Sequence, residues 1–298
     1  MPGEATTGET TTGEITSLDH VVLAVADLEG ATRTYARLLG RAPSWRGEHP
    51  GAGTANTLFR LENTYVELLS PAGTGPIGAV LEKRLEAGEG VFALAFGTPD
   101  AVACRARLEA AGLEPGEVQN GIGRDTDSGG FREWRNVMLP PSRTRGVPLF
   151  AIEHTSPPDL LPAVEPLGAP NAAVQRLDHV VWRSGDGDAC RELLEGGLGL
   201  RLALDRRFEK FGFRGLFFRV GGTTVEVSAP LEGGAAASEP DALWGLAWHV
   251  ADIPAARARL KDAGFDVSDV RDGRKPGTAV FTVRAETAGV PTLVIGGA

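Results

Sequence analysis

The stretch Leu18–Val25, LDHVVLAV, returns as LDHVVWRS at Leu177–Ser184. In each copy one histidine, His20 or His179, stands inside a β-branched run, and a glutamate, Glu67 or Glu226, follows 47 residues later. β-branched residues fit a pleated, half-buried surface, so both copies are predicted strands. Period-two alternation then places His20, Val22 and Ala24 on one face, and Tyr65, Glu67 and Leu69 on one face of a later strand. A carboxylate between Val66 and Leu68 is costly to bury unless it meets a cation or donors. Glu226, between Val225 and Val227, and Glu153, within LFAIEH, pose the same problem. A histidine and carboxylates converging on one cup are a way to hold a divalent ion. A lone strand histidine is as readily a satisfied core residue; the repeated spacing is what favours ligands.

Working outward, the chain repeats one unit four times: strand, Asp, helix, Gly, further strands. The Asp-to-Gly spans are Asp27–Gly40, Asp100–Gly112, Asp186–Gly199 and Asp252–Gly264. Aspartate accepts from the free N–H groups of a first helical turn, and glycine takes the left-handed position after the last one. Each unit therefore reads βαβββ, and the fold class is α+β, four such units in two modules. Strands following strands exclude a doubly wound sheet and a barrel of βα repeats. Residues 1–17, rich in Thr, Gly and Glu, read as a disordered tail. The N-terminal module spans 18–155, a Pro-rich linker 156–175, and the C-terminal module 176–298. The linker's position makes neighbouring units the expected partners. Gln119 to Gly130 reads as a mobile loop, and a Gly/Ala loop is expected from Glu232 to Ser238.

Bulk properties exclude several classes. A net charge of −9 over 298 residues argues against a nucleic-acid surface. No apolar run approaches a membrane span, and no signal pattern opens the chain, so a cytoplasmic protein without membrane partners is expected. Cys104 and Cys190 fall in different helical patterns and read as buried small hydrophobes.

LDHVVLAVADLEGATRTYARLLG together with TYVELLSP resembles the vicinal-oxygen-chelate superfamily of glyoxalase I, bleomycin-resistance proteins, extradiol dioxygenases and epimerases. The likeness covers 18–155 and, separately, 177–296. HPGAGTAN (His49–Asn56) is similar to a loop of the glyoxalase-like branch, where a histidine is common at the position of Ala55. The resemblance implies two glyoxalase-like modules whose cups draw ligands from the first and last strands of paired units. It implies one divalent metal (Mn, Fe, Mg, Zn or Ni) on His20, Glu67 and Glu153, with Glu67 and Glu153 as candidate proton-transfer groups. His179 and Glu226 would form a degenerate second site, because Gly245 and Gly296 stand where two further ligands belong and Ala93 replaces one in unit two.

The implied activity is a metal-dependent isomerase or lyase acting on a small oxygenated molecule. The alternative is a metal-free protein that sequesters a small ligand. A dioxygenase is less favoured, since Ala93 and Gly245 remove the second histidine of a two-His, one-carboxylate set. His49, Trp134, Arg135 and His249 are candidate substrate-binding residues, and a homodimer is the expected assembly. Arg132, Arg135, Arg143 and Arg145 surround the last strands of unit two and are candidates to hold an anionic substrate; solvated hairpin charges are the simpler reading. GRKPGT (Gly273–Thr278) lacks the strand–helix context of a phosphate loop.

Overall fold

Every predicted aspartate cap is formed. Asp27 accepts from the Gly30 amide, Asp100 from Val102 and Ala103, Asp186 from Asp188 and Ala189, and Asp252 from Ala255. Gly40 closes the first helix at φ 67°, where a side chain would be strained. The computed structural model describes residues 13–232 and 240–297.

Unit one comprises β1 (Ser17–Ala24), α1 (Leu28–Leu39), β2 (Trp45–His49), β3 (Thr54–Arg60) and β4 (Tyr65–Pro71). An additional helix, α2 (Pro76–Leu85), follows it. Unit two comprises β5 (Gly90–Gly97), α3 (Ala101–Ala110), β6 (Gln119–Asp125), β7 (Phe131–Leu139) and β8 (Leu149–His154). Unit three comprises β9 (Arg176–Arg183), α4 (Gly187–Arg191), β10 (Arg201–Phe208), β11 (Phe213–Val220) and β12 (Thr223–Pro230). A π-helical turn, Glu192–Gly197, continues α4. Unit four comprises β13 (Ala242–His249), α5 (Ile253–Asp262), β14 (Arg271–Asp272), β15 (Thr278–Val283) and β16 (Thr292–Gly297). The protein is α+β with two modules of paired βαβββ units.

Neighbouring units pair. Units one and two form a closed barrel in the order β1-β4-β3-β2-β6-β7-β8-β5. Units three and four form an eight-stranded sheet, β10-β11-β12-β9-β13-β16-β15-β14, that does not close. The difference lies at one seam: β2 joins β6 through Gly47↔Asp125 and Glu48↔Arg124, whereas the two-residue β14 pairs only with β15. Buried apolar side chains from both modules merge into one cluster, from Leu18 and Tyr35 through Trp182 to Phe281. The modules are also clasped by polar contacts. Asn63 bonds the backbone of Leu177 in both directions, and Arg145 grips the buried carboxylate of Asp241.

Three expectations are corrected. Gln119–Gly130 contains a strand, β6, in place of a mobile loop. Its glycines make room for an indole: a Cβ at Gly121 would lie 2.1 Å from the Trp134 ring nitrogen. Of the expected tail, residues 1–12 lie outside the described residues, but 13–17 are docked: the Thr16 amide bonds Gly97, and Ile15 packs on the core. Helix α2 was not anticipated, since it lacks a side-chain cap and starts on Pro76. It lies across the barrel, with Leu81 fully buried and Gly78 so close to Gly53 that a Cβ would meet its carbonyl oxygen at 2.4 Å. Most of the expected Gly/Ala loop, residues 233–238, lies outside the described residues. Among the described residues, no helix is long and apolar enough to cross a membrane.

Candidate active site in the N-terminal barrel

The barrel encloses a largely apolar cavity of about 720 Å³. Its polar wall is built by the parallel pair β1 and β4, whose register sets His20 opposite Tyr65 and Val22 opposite Glu67. His20 Nδ1 bonds Asp19 at 2.7 Å, which turns Nε2 toward Glu67, 3.5 Å away. Tyr65 stacks on the imidazole at 4.5 Å. On the far side of Glu67, Asn56 donates its amide to Oε1 at 2.6 Å and also approaches His49 Nε2 at 3.2 Å. His49 bonds Thr54 through Nδ1 and meets the edge of Trp134. Asp19, His20 and Glu67 thus form a buried relay whose last oxygen faces the cavity.

Charge follows from this geometry. Burial pushes the His20 imidazolium down, but the carboxylates of Asp19 and Glu67 outweigh it and raise its pKa to about 9. Burial alone would raise Glu67; His20, His49 and Asn56 hold it below the usual carboxylate range. Asp19 would likewise be raised by burial, yet His154 and His20 bring it far down. Burial, with His20 and Arg132 nearby, lowers the His49 imidazole below its usual value against the pull of Glu67. The relay is therefore a carboxylate, an imidazolium and a second carboxylate in a water-poor cup.

Glu153 stands elsewhere. Trp134, Asn136 and Met138 of β7 line the cavity, and they pair with His154, Ile152 and Phe150 of β8. That face of β8 is the inner one, so Glu153 points outward, where its Oε2 accepts from the Ala101 amide at the start of α3. The register explains the misplacement. β1–β4 matches Val22 with Glu67, and β5–β8 matches Ala95 with Phe150, so the mate of Glu67 is Phe150. His154 shares the inner face and reaches Asp19 at 3.0 Å. Arg135, also expected to touch substrate, lies on the outer face beside Glu153, 3.6 Å away.

The C-terminal copy repeats the relay: His179 Nδ1 bonds Asp178 at 2.8 Å and Nε2 faces Glu226 at 3.4 Å. Its mates are Gly245 and, by the β13–β16 register, Leu293 in place of Gly296. The expected inequality between the two sites is thus overturned at the ligand positions, since each holds one histidine and one glutamate. They differ in their surroundings. Phe208 and Gly215 occupy the places of His49 and Asn56, and the sheet is open. His249 lies at the end of β13, outside the N-terminal cup.

The donor set does not fit the metal that the resemblance implies. Ala93 and Phe150 stand at the mates of His20 and Glu67, which leaves two of four ligand positions. His49 Nε2, 3.9 Å from Glu67, is already engaged by the Asn56 amide. Among the described residues, no three His, Cys, Asp or Glu side chains are placed to hold an ion.

Sequence reasoning passed over Asp19, Asn56 and the cup-lining role of Arg132. The first had a signal, because Asp precedes His in both copies. The second lies in GTAN. Arg132 had one too: alternation along Phe131–Leu139 puts it on the face of Trp134, but it was read as a solvated hairpin charge.

A family model described as a glyoxalase-like domain matches residues 18–198, more than half of the chain. The chain belongs to the glyoxalase-like domain family. A second model, of the glyoxalase/bleomycin resistance protein/dioxygenase superfamily, matches 178–281. This glyoxalase-like chain is thus a two-module member of the vicinal-oxygen-chelate superfamily. It is 39% identical over 99 residues to an ethylmalonyl-CoA/methylmalonyl-CoA epimerase of Cereibacter sphaeroides, covering 33% of this chain and 72% of that protein. Against the human mitochondrial methylmalonyl-CoA epimerase it is 39% identical over 72 residues, 24% of this chain and 41% of the human one. Among solved structures it is similar to a variant of 4-hydroxymandelate synthase from Streptomyces coelicolor. The TM-score is 0.66 at 18% identity, over 95% of this chain and 93% of that one. A hypothetical protein from Staphylococcus aureus gives 0.64 at 10% identity, over 94% and 99%. These two likenesses concern the fold.

Proposed function

We propose that the N-terminal barrel is the active site of an isomerase- or lyase-type enzyme that moves a proton on a small carbonyl compound. The observation that carries this reading is the Asp19–His20–Glu67 relay, buried but opening onto an apolar cavity of about 720 Å³. Nε2 of His20 and Oε2 of Glu67 lie 3.5 Å apart, so one substrate can present a C–H to the carboxylate and its carbonyl oxygen to the imidazolium. Glu67 takes the proton, and the electron pair moves onto the carbonyl oxygen, where the His20 N–H stabilises the developing enolate. Asp19 keeps the imidazole in the orientation this needs. The likeness to epimerases over 99 residues supports the class of chemistry. No step is routed through a metal, because only His20 and Glu67 occupy ligand positions.

The test is wash-out of C–H protons in deuterated water, followed by proton NMR across a set of 2-oxo acids, 3-oxo acids and thioesters. Exchange that persists in EDTA and falls about 100-fold or more in Glu67→Gln is expected. Binding without exchange would favour sequestration instead, and exchange that requires added divalent metal would return the site to metal chemistry.

A further inference from the structure

Arg132 is a buried cation with no hydrogen-bond or ion-pair partner among the described residues. It sits near the start of β7, on the inner face with Trp134 and Asn136, and is 7% exposed. Its guanidinium lies over the Trp45 ring, 5.3 Å from the centroid. No hydrogen bond or ion pair joins that side chain to any described residue. The contrast with other sheltered arginines is plain. Arg259 donates to three backbone carbonyls, and Arg145 grips Asp241. The two carboxylates that line the cup are already engaged, Glu67 by His20 and Asn56, and Glu114 by Arg143. A guanidinium is always charged, and leaving one desolvated without an anion is destabilising. The cavity also contains acceptors without donors: Asn56 Oδ1 and Asn136 Oδ1 are buried and unbonded in the protein.

We infer that Arg132 is a substrate-recognition residue and that the N-terminal cup takes monocarboxylic acids with an apolar body and a hydroxyl or N–H group. This rests on the reading of the barrel as a small-molecule site and adds the class of ligand. A planar carboxylate matches the guanidinium fork, which accepts it bidentately while the indole face holds the cation flat. One charge is matched by one charge. A phosphate would bring close to two and would meet no lysine or second arginine among the lining residues. The apolar walls, with Leu58, Phe92 and Phe150, receive the body of the acid, and its hydroxyl or N–H satisfies the Asn56 or Asn136 oxygen.

The experiment is calorimetric titration of the full chain with three acids, phenyllactate, 2-hydroxyhexanoate and N-acetylphenylalanine, each against its neutral primary amide. The wild-type chain is expected to bind at least one acid about tenfold or more tighter than its amide. Arg132→Met, of similar length and apolar, is expected to erase that preference by weakening the acid and sparing the amide. Arg132→Lys is expected to retain part of it. Thermal melts of Arg132→Met confirm folding, and the variant is expected to be at least as stable as wild type, because an unpaired buried charge is gone. Equal binding of acid and amide, an acid preference that survives Arg132→Met, or no acid binding up to the solubility limit would each overturn the inference. Proton exchange is a separate readout. Acid binding through Arg132 without exchange leaves this inference standing and removes the enzymatic reading; exchange on acid and amide alike does the reverse.

Discussion

Replacing Arg145 by Ala tests how the two modules are held together. Arg145 lies in the β7–β8 connection, and its Nε and Nη2 donate to the two oxygens of Asp241 at 2.9 and 3.0 Å. The Asp241 side chain is fully buried, and it also accepts from Trp182 at 2.8 Å and from the Cys190 thiol at 3.0 Å. Removing one partner of a buried ion pair costs roughly 3–5 kcal/mol, because the remaining charge stays desolvated. Two donors survive on Asp241, which places the expected loss near the lower bound, about 3 kcal/mol, or roughly 6 °C in Tm for a chain of this size. Arg145 has a φ of 55°, an unfavourable backbone for any residue with a Cβ. Alanine keeps that cost, so the variant isolates the side chain. Urea denaturation of wild type, Arg145→Ala, Asp241→Asn and the double variant forms a cycle whose coupling is expected to reach about 2 kcal/mol. Losses in Arg145→Ala below about 1 kcal/mol, or additive single variants, would refute the clasp as an energetic link.

Three further outcomes follow from the site. Ala93→His with Phe150→Glu places ligands at the mates of His20 and Glu67, so the double variant is expected to gain stoichiometric Co²⁺ binding, seen by its visible absorption, while wild type stays colourless. Glu153→Ala removes an acceptor from the first turn of α3 and is expected to cost about 1 kcal/mol in denaturation while leaving ligand affinity unchanged; a large loss of affinity would return Glu153 to the site. The raised pKa of His20 makes stability pH-dependent. That contribution is complete below about pH 6.5 and is lost as pH rises through about 9, amounting to at most about 3 kcal/mol. Denaturation at pH 6.5 and 9.5 is expected to show this loss in wild type and much less of it in His20→Gln, and equal pH dependence in both would contradict the relay.

The repeated units, their capped helices and the inner placement of His20 and Glu67 were legible because each depends on local rules: an aspartate cap, a glycine stop, alternation along a strand. Glu153 was misread because matching one glutamate to another ignores register. VPLFAIEH is apolar at nearly every position, so alternation permits either face, and a slip of three residues turns an outward carboxylate into an inward one. Only the pairing of β5 with β8 fixes Phe150 as the true mate. β6 was hidden by glycines that normally mark mobility and here admit the Trp134 ring. Arg132 was set aside on the simpler reading of a solvated hairpin charge. What distinguishes it from Arg135 is a missing partner and a neighbouring indole, both properties of the folded barrel.

The twin relays have a use that neither has alone. Asp178, His179 and Glu226 reproduce the residues and spacings of Asp19, His20 and Glu67, but against an open sheet with phenyl and glycine neighbours. The hydrogen-bonded frame of the triad is common to both copies. Whatever it does for a ligand, the first alone has the walls to do. Matched substitutions at His20 and His179 therefore give every molecule its own reference channel, in which the part of a loss common to both is architecture and the remainder is chemistry.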